Sequence, residues 1–190
     1  MKNFFLTIFV LLFSACTLGF SNTPKEKVKD FLNKYKNQDT EVLNDLDSIV
    51  SSEYSGDYTK RYKTIMTNQY KNMEYEIVDE IIEGDSATVV AKIKVYDYAS
   101  VIDRVNTYIG EHQDEFMSNS SDETSLDDNN NSMSSFDNDK YLDYKMNNLE
   151  NTNDKRTYQI EFTLSKIDDK WVLDSLSETD IEKIHGLYQE

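Results

Sequence analysis

The chain has few of the residues from which catalytic and metal sites are usually built. Its 190 residues include one cysteine (Cys16), two histidines, one proline and five glycines. A single cysteine excludes an intramolecular disulfide and a cysteine-based metal cluster. His112 and His185 have no metal-ligand spacing, and there is no glycine-rich phosphate loop or G-x-S-x-G elbow. We therefore predict no metal and no cofactor, and we favour a non-enzymatic protein.

Positive charge is also scarce. Asp and Glu total 36 against 20 Lys and Arg, which gives a formal net charge of -16 and an isoelectric point near 4.5. A protein with this charge repels phosphate backbones, so we predict no nucleic-acid partner. The acidity favours solubility more than a role in binding cations.

No hydrophobic run is long enough to cross a bilayer. The apolar run at 4–13 has 10 residues, whereas a spanning helix needs about 20. Because Lys2 precedes it, this run predicts a signal peptide over residues 1–15.

The sequence Leu-Phe-Ser-Ala-Cys that ends at Cys16 resembles the lipobox of bacterial lipoproteins. We predict that Cys16 is lipidated, that residues 16–23 are a tether, and that the lipid holds the exported protein on the outer face of a bacterial membrane. Cleavage after Gly19 or Ser21 is the alternative, and it would release a secreted protein.

Three helices are predicted after the tether. A capping box with proline at the first helical position, Thr23-Pro24-Lys25-Glu26, opens the first helix. Asp39 or Thr40 caps the second, and the break at 55–57 precedes the third. Their apolar stripes are Val28, Phe31, Leu32 and Tyr35; Val42, Leu43, Leu46, Ile49 and Val50; and Tyr58, Tyr62, Ile65, Met66 and Tyr70.

Two β-hairpins follow, separated by a long insertion. The first has a turn at 83–86 and a return strand to Tyr98, with Met73, Tyr75, Ile77 and Ile81 alternating on the outgoing strand. The second covers 155–177, with a turn at 168–170 and Trp171 on the buried face of its return strand.

The insertion at 99–153 predicts a long helix through Phe116 and a second helix around Met146. Between them, residues 118–135 are rich in Ser, Asn and Asp, so we predict a flexible acidic loop. Its D-x-N-x-N string at 127–131 resembles the start of a calcium loop. Since Ser132 and Asn138 replace the required Gly and Glu, we predict no calcium site.

The last predicted element is a short helix. A capping box at 179–182 opens it, and it runs through Ile184, Leu187 and Tyr188. His185 lies near its end, where the helix dipole favours a histidine.

The Pro-capped helix with V-x-x-F-L-x-x-Y, the further helices and the D-D-K-W-V-L hairpin together resemble the nuclear transport factor 2-like superfamily, in particular small envelope lipoproteins carrying that domain. The resemblance covers residues 24 to about 177 and implies N-terminal helices packed on a curved antiparallel sheet, and the long insertion departs from the compact family pattern. With the insertion between the two hairpins and the short C-terminal helix, we predict a single α+β domain at 24–190. The resemblance also implies a cone whose apolar cavity serves ligand binding, dimerisation or, in some members, catalysis.

We expect five side chains to line such a cavity: Tyr35, Tyr62, Tyr96, Asp97 and Trp171. The leading hypothesis is an envelope lipoprotein that binds an apolar small molecule or a partner protein. In ketosteroid isomerases of this superfamily a carboxylate base and tyrosine donors occupy the cone, so an isomerase-like or hydratase-like enzyme using Asp97 is the first alternative. A purely structural surface module is the second.

Overall fold

The computed structural model describes residues 23–118 and 135–189. In chain order they form α1 (Pro24–Lys36), α2 (Thr40–Glu53), α3 (Asp57–Lys71), β1 (Glu74–Glu83), β2 (Ser86–Tyr96), α4 (Tyr98–Glu111), β3 (Met117–Ser118), β4 (Ser135–Phe136), α5 (Asn138–Asn151), β5 (Lys155–Ile167), β6 (Lys170–Leu173) and α6 (Glu178–His185). Two compact units are present. Tyr98–Thr152 belong to the second, and the described residues on either side belong to the first.

The first unit contains a four-stranded antiparallel sheet in the order β1-β2-β5-β6. Both predicted hairpins are present, and they lie side by side because β2 pairs with β5 along its whole length. The predicted α+β class is confirmed.

Both hairpins close with two-residue loops. Glu83 pairs with Ser86, and Ile167 pairs with Lys170. Lys170 was predicted in the turn, but it belongs to β6. Asp168 and Asp169 make the turn alone because both have positive φ, 50° and 60°, and short polar side chains tolerate that conformation.

One face of the sheet is buried and the other is largely polar. The buried side chains are, as predicted, Val89, Ala91, Ile93 and Val95 of β2 with Tyr158, Ile160, Phe162 and Leu164 of β5. Helix α1 packs on this face, where the ring of Phe31 lies 5.9 Å from that of Phe162. The apolar stripe of helix α1 and the alternating apolar residues of strands β2 and β5 therefore pack together in one core.

Helix α1 begins as predicted. The Thr23 hydroxyl accepts a hydrogen bond from the Glu26 amide at 3.2 Å, which satisfies one of the free N–H groups of the first turn. All four residues of its predicted stripe are buried. In α2 fewer residues are buried than the predicted stripe contains, since only Val42, Leu46 and Val50 are enclosed.

Strand β1 departs from the predicted alternation. Its register with β2 shifts between Ile77 and Asp79, so Val78 forms a bulge. One extra residue reverses the faces of all residues that follow. Ile81 was expected on the same face as Ile77, but it lies opposite Thr88 on the open face.

The second unit is built from α4 and α5, joined by the short β3–β4 pair. The helix predicted through Phe116 is too long. Helix α4 ends at Glu111, just after Gly110, and a separate 3-10 turn at Gln113–Phe116 buries Phe116. Glycine is a weak helix former, which favours an end at this point. Helix α5 is present where it was predicted.

The C-terminal helix also differs from its prediction. Ser177 caps α6 by accepting from the Asp180 amide at 3.1 Å, so the capping box assigned to 179–182 is wrong. The helix ends at His185 because Gly186 is left-handed, with φ 70°. Leu187 and Tyr188 therefore follow the helix and do not belong to it.

The predicted signal peptide, the predicted lipidation site Cys16 and the predicted tether as far as Asn22 lie outside the described residues. So do residues 119–134, which include most of the predicted flexible loop and the calcium-like string.

Gly186 provides a test of this packing. A Cβ at Gly186 would collide with the Tyr96 carbonyl oxygen and the Gln69 amide nitrogen, and its φ is positive as well. We expect Gly186→Ala to lower the free energy of unfolding by about 3 kcal/mol. Gly84→Ala is the matched control, because Gly84 has φ 62° with open space around it, and it should cost about 1 kcal/mol. Equal losses in urea unfolding would show that the collision does not occur.

Candidate functional site

The first unit contains a cluster of aromatic rings contributed by three helices. Tyr35 of α1 lies against Tyr70 of α3, with ring centroids 5.2 Å apart. His185 of α6 contacts both, at 6.2 Å and 5.7 Å. The Tyr70 hydroxyl is 3.3 Å from Nε2 of His185. Sequence analysis placed both tyrosines on apolar stripes but did not connect them with His185.

Burial determines the charge state of this cluster. It lowers the pKa of His185 from 6.5 to about 4, so the imidazole is neutral at physiological pH. The helix dipole, which favours a charged histidine at this position, is outweighed by desolvation. Burial also raises the pKa of Tyr70 well above its usual value. The cluster is therefore uncharged.

Asp45 of α2 lies at the margin of the cluster. Its Oδ2 atom is enclosed and has no hydrogen-bond partner among the described residues. Burial, then the nearby Glu41 charge, raises the pKa of Asp45. The Asp45 charge in turn raises the pKa of Tyr35, after burial as the larger cause. Ionisation of Asp45 is therefore energetically unfavourable in the folded protein.

The two tyrosines of the cluster are enclosed by their neighbours, and His185 is partly exposed. Tyr35 is 3% exposed and Tyr70 is 2% exposed. Tyr62 is also buried and lies near enough to contribute to the raised pKa of Tyr70, and its ring centroid is 4.8 Å from that of Tyr54, with the two rings tilted by 30°. Of the five residues predicted to line a cavity, Tyr35 and Tyr62 therefore come together around Tyr70, which the prediction omitted.

The other three predicted residues lie elsewhere in the first unit. Tyr96 ends β2, where Gln69 accepts from its amide at 2.8 Å and donates to its carbonyl at 3.2 Å. The Asp97 carboxylate is 3.0 Å from Nε of Arg156. Trp171 lies in β6, opposite Lys166 and close to the second hairpin loop. The predicted set is therefore spread over three positions.

Sequence analysis missed an exposed region at the loop end of the sheet. We call residues 79–85 and 166–170 the tip. Three isoleucines there are unusually exposed: Ile81 at 51%, Ile82 at 53% and Ile167 at 55%. The Ile81-Ile82 doublet was the available signal, since neighbouring residues of a strand face opposite sides and only one face is buried.

The tip is acidic as well as apolar. It carries six acids, Asp79, Glu80, Glu83, Asp85, Asp168 and Asp169, against Lys166 and Lys170. The Lys166 amide donates to the Asp85 carbonyl at 2.7 Å, which joins the two hairpin loops. The tip is therefore one continuous end of the sheet, with apolar side chains set among negative charges.

The second unit has its own aromatic stack. The Tyr108 ring lies between His112 at 4.2 Å and Tyr144 at 4.9 Å, nearly parallel to both. Glu115 accepts a hydrogen bond from the Tyr108 hydroxyl at 3.0 Å and lies 3.3 Å from Nδ1 of His112. These contacts fasten the 3-10 turn to α4, and they give His112 a structural role.

Within 23–118 and 135–189, no group of three or more His, Cys, Asp or Glu side chains is arranged to hold a metal ion. The same residues contain no helix with the length and apolar character needed to span a membrane.

A titration tests the closed cluster. The folded-state pKa of His185 is below its ordinary value, so the unfolded chain takes up a proton first and stability falls as the pH drops from 6.5 to 4. The loss should approach about 3 kcal/mol, and His185→Gln should abolish it. By NMR the His185 ring should titrate near pH 4, with His112→Gln assigning the two histidines. A midpoint above 6 would contradict desolvation of the ring.

Asp45 generates a second prediction. Because its pKa is raised, Asp45→Asn should increase the melting temperature at pH 7, and the gain should vanish near pH 3, where the aspartic acid is neutral. Asp47→Asn on the same helix is the control. It removes a 2.6 Å ion pair with Lys63 and should cost about 0.5 kcal/mol. A lower melting temperature for Asp45→Asn at pH 7 would mean that Asp45 has a stabilising partner.

Comparison with known proteins yields one structural likeness and no family. No family model matches the chain, and no curated protein matches it. A solved Bacillus subtilis structure, described as a "putative lipoprotein", aligns with 87% of this chain at 18% identity and a TM-score of 0.36. The alignment spans 47% of that protein, so this chain corresponds to about half of its length.

Proposed function

We propose that this protein is a non-enzymatic envelope lipoprotein that binds a partner protein through the tip. One observation carries the proposal: Ile81, Ile82 and Ile167 are each more than half exposed at one end of the sheet. Exposed apolar side chains set among charges are typical of protein interaction sites. The remaining apolar residues of this sheet lie mostly on its buried face.

The contacts of the candidate carboxylate favour binding over catalysis. Asp97 was considered as the base of an isomerase-like reaction, but Arg156 lies 3.0 Å from it and compensates its charge. An apolar site makes a carboxylate a stronger base only when no positively charged group lies next to that carboxylate. Asp45 has the raised pKa, yet its neighbours Tyr35 and Tyr70 are enclosed by packing.

A partner protein is favoured over an apolar small molecule for a related reason. The helices followed by an antiparallel sheet support a nuclear transport factor 2-like arrangement for the first unit, in which a ligand would lie between α1 and the sheet. Phe31 occupies that position and meets Phe162 at 5.9 Å. A ligand would have to displace these rings, whereas the tip is accessible as it stands.

The anchor complements this role. Lipidation of Cys16 would leave seven residues of the tether, 16–22, before Thr23, and they span at most about 25 Å when extended. The first unit would then stay close to the membrane surface, where other envelope proteins are concentrated.

Site-specific crosslinking of the full-length chain in the envelope tests the proposal. A photoreactive residue at Ile82 or Ile167 should capture a discrete partner, while the same residue at Lys29, an exposed position on α1, should not. The partner, once purified, should bind the protein with an affinity that Ile81→Ser with Ile82→Ser reduces at least tenfold, as expected for losing about 1.4 kcal/mol.

Two controls accompany this experiment. Val90→Ser removes an apolar residue from the open face outside the tip and should leave affinity within about twofold. Cys16→Ser should move the protein from the membrane fraction to the soluble fraction. Equal crosslinking at Lys29 and Ile82, or unchanged affinity of the double variant, would refute binding through the tip.

A further inference from the structure

Strand β1 forms an open edge of the sheet. All backbone pairing of its 10 residues is with β2. Among the backbone hydrogen bonds of the described ranges, none joins the outer side of β1 to another segment. About half of the N–H and C=O groups of such a strand point away from its neighbour. This edge can therefore accept a further strand.

The bulge at Val78 fixes which side chains flank the second half of this edge. Asp79, Ile81 and Glu83 lie opposite Val90, Thr88 and Ser86, on the open face. Glu80 and Ile82 have the opposite parity, and Glu80 accepts from the Lys25 amide at 2.9 Å. Along the edge the order is thus acid, acid, apolar, apolar, acid.

The acids limit what can pair there. An antiparallel second copy would set the same acidic strand against itself, and like charges directly opposite are destabilising. An anionic lipid surface would also be repelled. A strand with the complementary order places positive charges opposite the acids and apolar residues opposite Ile81 and Ile82.

We infer that β1 receives an extended segment of the partner protein in which two adjacent apolar residues are flanked by Lys or Arg, in the order basic, apolar, apolar, basic, basic when it runs antiparallel. Backbone hydrogen bonds to the edge would supply affinity, and the order of side chains would supply specificity. This inference rests on the proposed function and specifies the partner of the tip.

Three synthetic peptides test it against the full-length protein. The first contains Lys-Val-Val-Lys-Lys between threonines. The second contains Lys-Val-Lys-Val-Lys, which has the same composition and charge but sets a lysine opposite an isoleucine. The third repeats the first sequence with every backbone nitrogen methylated, so it keeps the side-chain charges but loses the backbone N–H hydrogen-bond donors. NMR titration measures binding, and amide hydrogen exchange identifies the protected strand.

We expect the first peptide to bind at least threefold more tightly than the second and at least tenfold more tightly than the third. It should protect amides of β1 that face away from β2. In the protein, Asp79→Asn with Glu83→Gln should weaken binding about fivefold. Asp168→Asn with Asp169→Asn removes the same charge from the other loop of the tip, where asparagine tolerates the positive φ, and should change affinity less than twofold.

Equal affinity for all three peptides would overturn the inference, because it would leave only attraction between opposite charges. Protection of β1 through concentration-dependent dimerisation would overturn it in favour of a second copy. If crosslinking at the tip succeeds while β1 amides stay unprotected, partner binding stands and edge pairing fails. If the peptides pair with β1 but the tip captures no partner in the envelope, the proposed function fails, while the ability of β1 to pair with an added strand is still supported.

Discussion

The first unit depends on a buried amide at the place where its sheet ends. Gln69 of α3 bonds both the N–H and the C=O of Tyr96, as a neighbouring strand would. Gly186 lies against the same two residues, at a distance that leaves no room for a Cβ. These contacts hold α3, the end of β2 and the end of α6 at one point. Unpaired backbone groups inside a protein are costly, so this closure is strongly favoured.

Closure at this end explains how the aromatic cluster is brought together. Tyr70 follows Gln69 along α3, and His185 precedes Gly186, so fixing Gln69 against Gly186 brings the Tyr70 hydroxyl to 3.3 Å from His185. Desolvation then keeps the histidine neutral. The polar groups at this end stabilise the fold. The exposed Ile81, Ile82 and Ile167 lie at the opposite end of the sheet, where the hairpin loops are.

The sequence predicts features that depend on local periodicity and fails where long-range contacts decide. The stripe of α1 and the alternation of β5 were correct because one buried face sets each pattern. The bulge at Val78 is decided by pairing with β2, and without it Ile81 was assigned to the wrong face. The environment of His185 depends on two helices far away in sequence. Ser177 and Thr179 offer rival caps within two residues, and only the packed helix selects between them.

The acids of β1 resolve an apparent conflict between exposure and solubility. An open edge flanked by isoleucines invites association, and natural sheets blunt such edges with charge. On β1 the charge is of one sign and interrupted at Ile81 and Ile82, beyond the bulge at Val78 where the register with β2 shifts. Charge of one sign repels copies of the same strand yet attracts an oppositely charged one. The residues that keep this edge from pairing with itself are therefore the residues that would choose its partner.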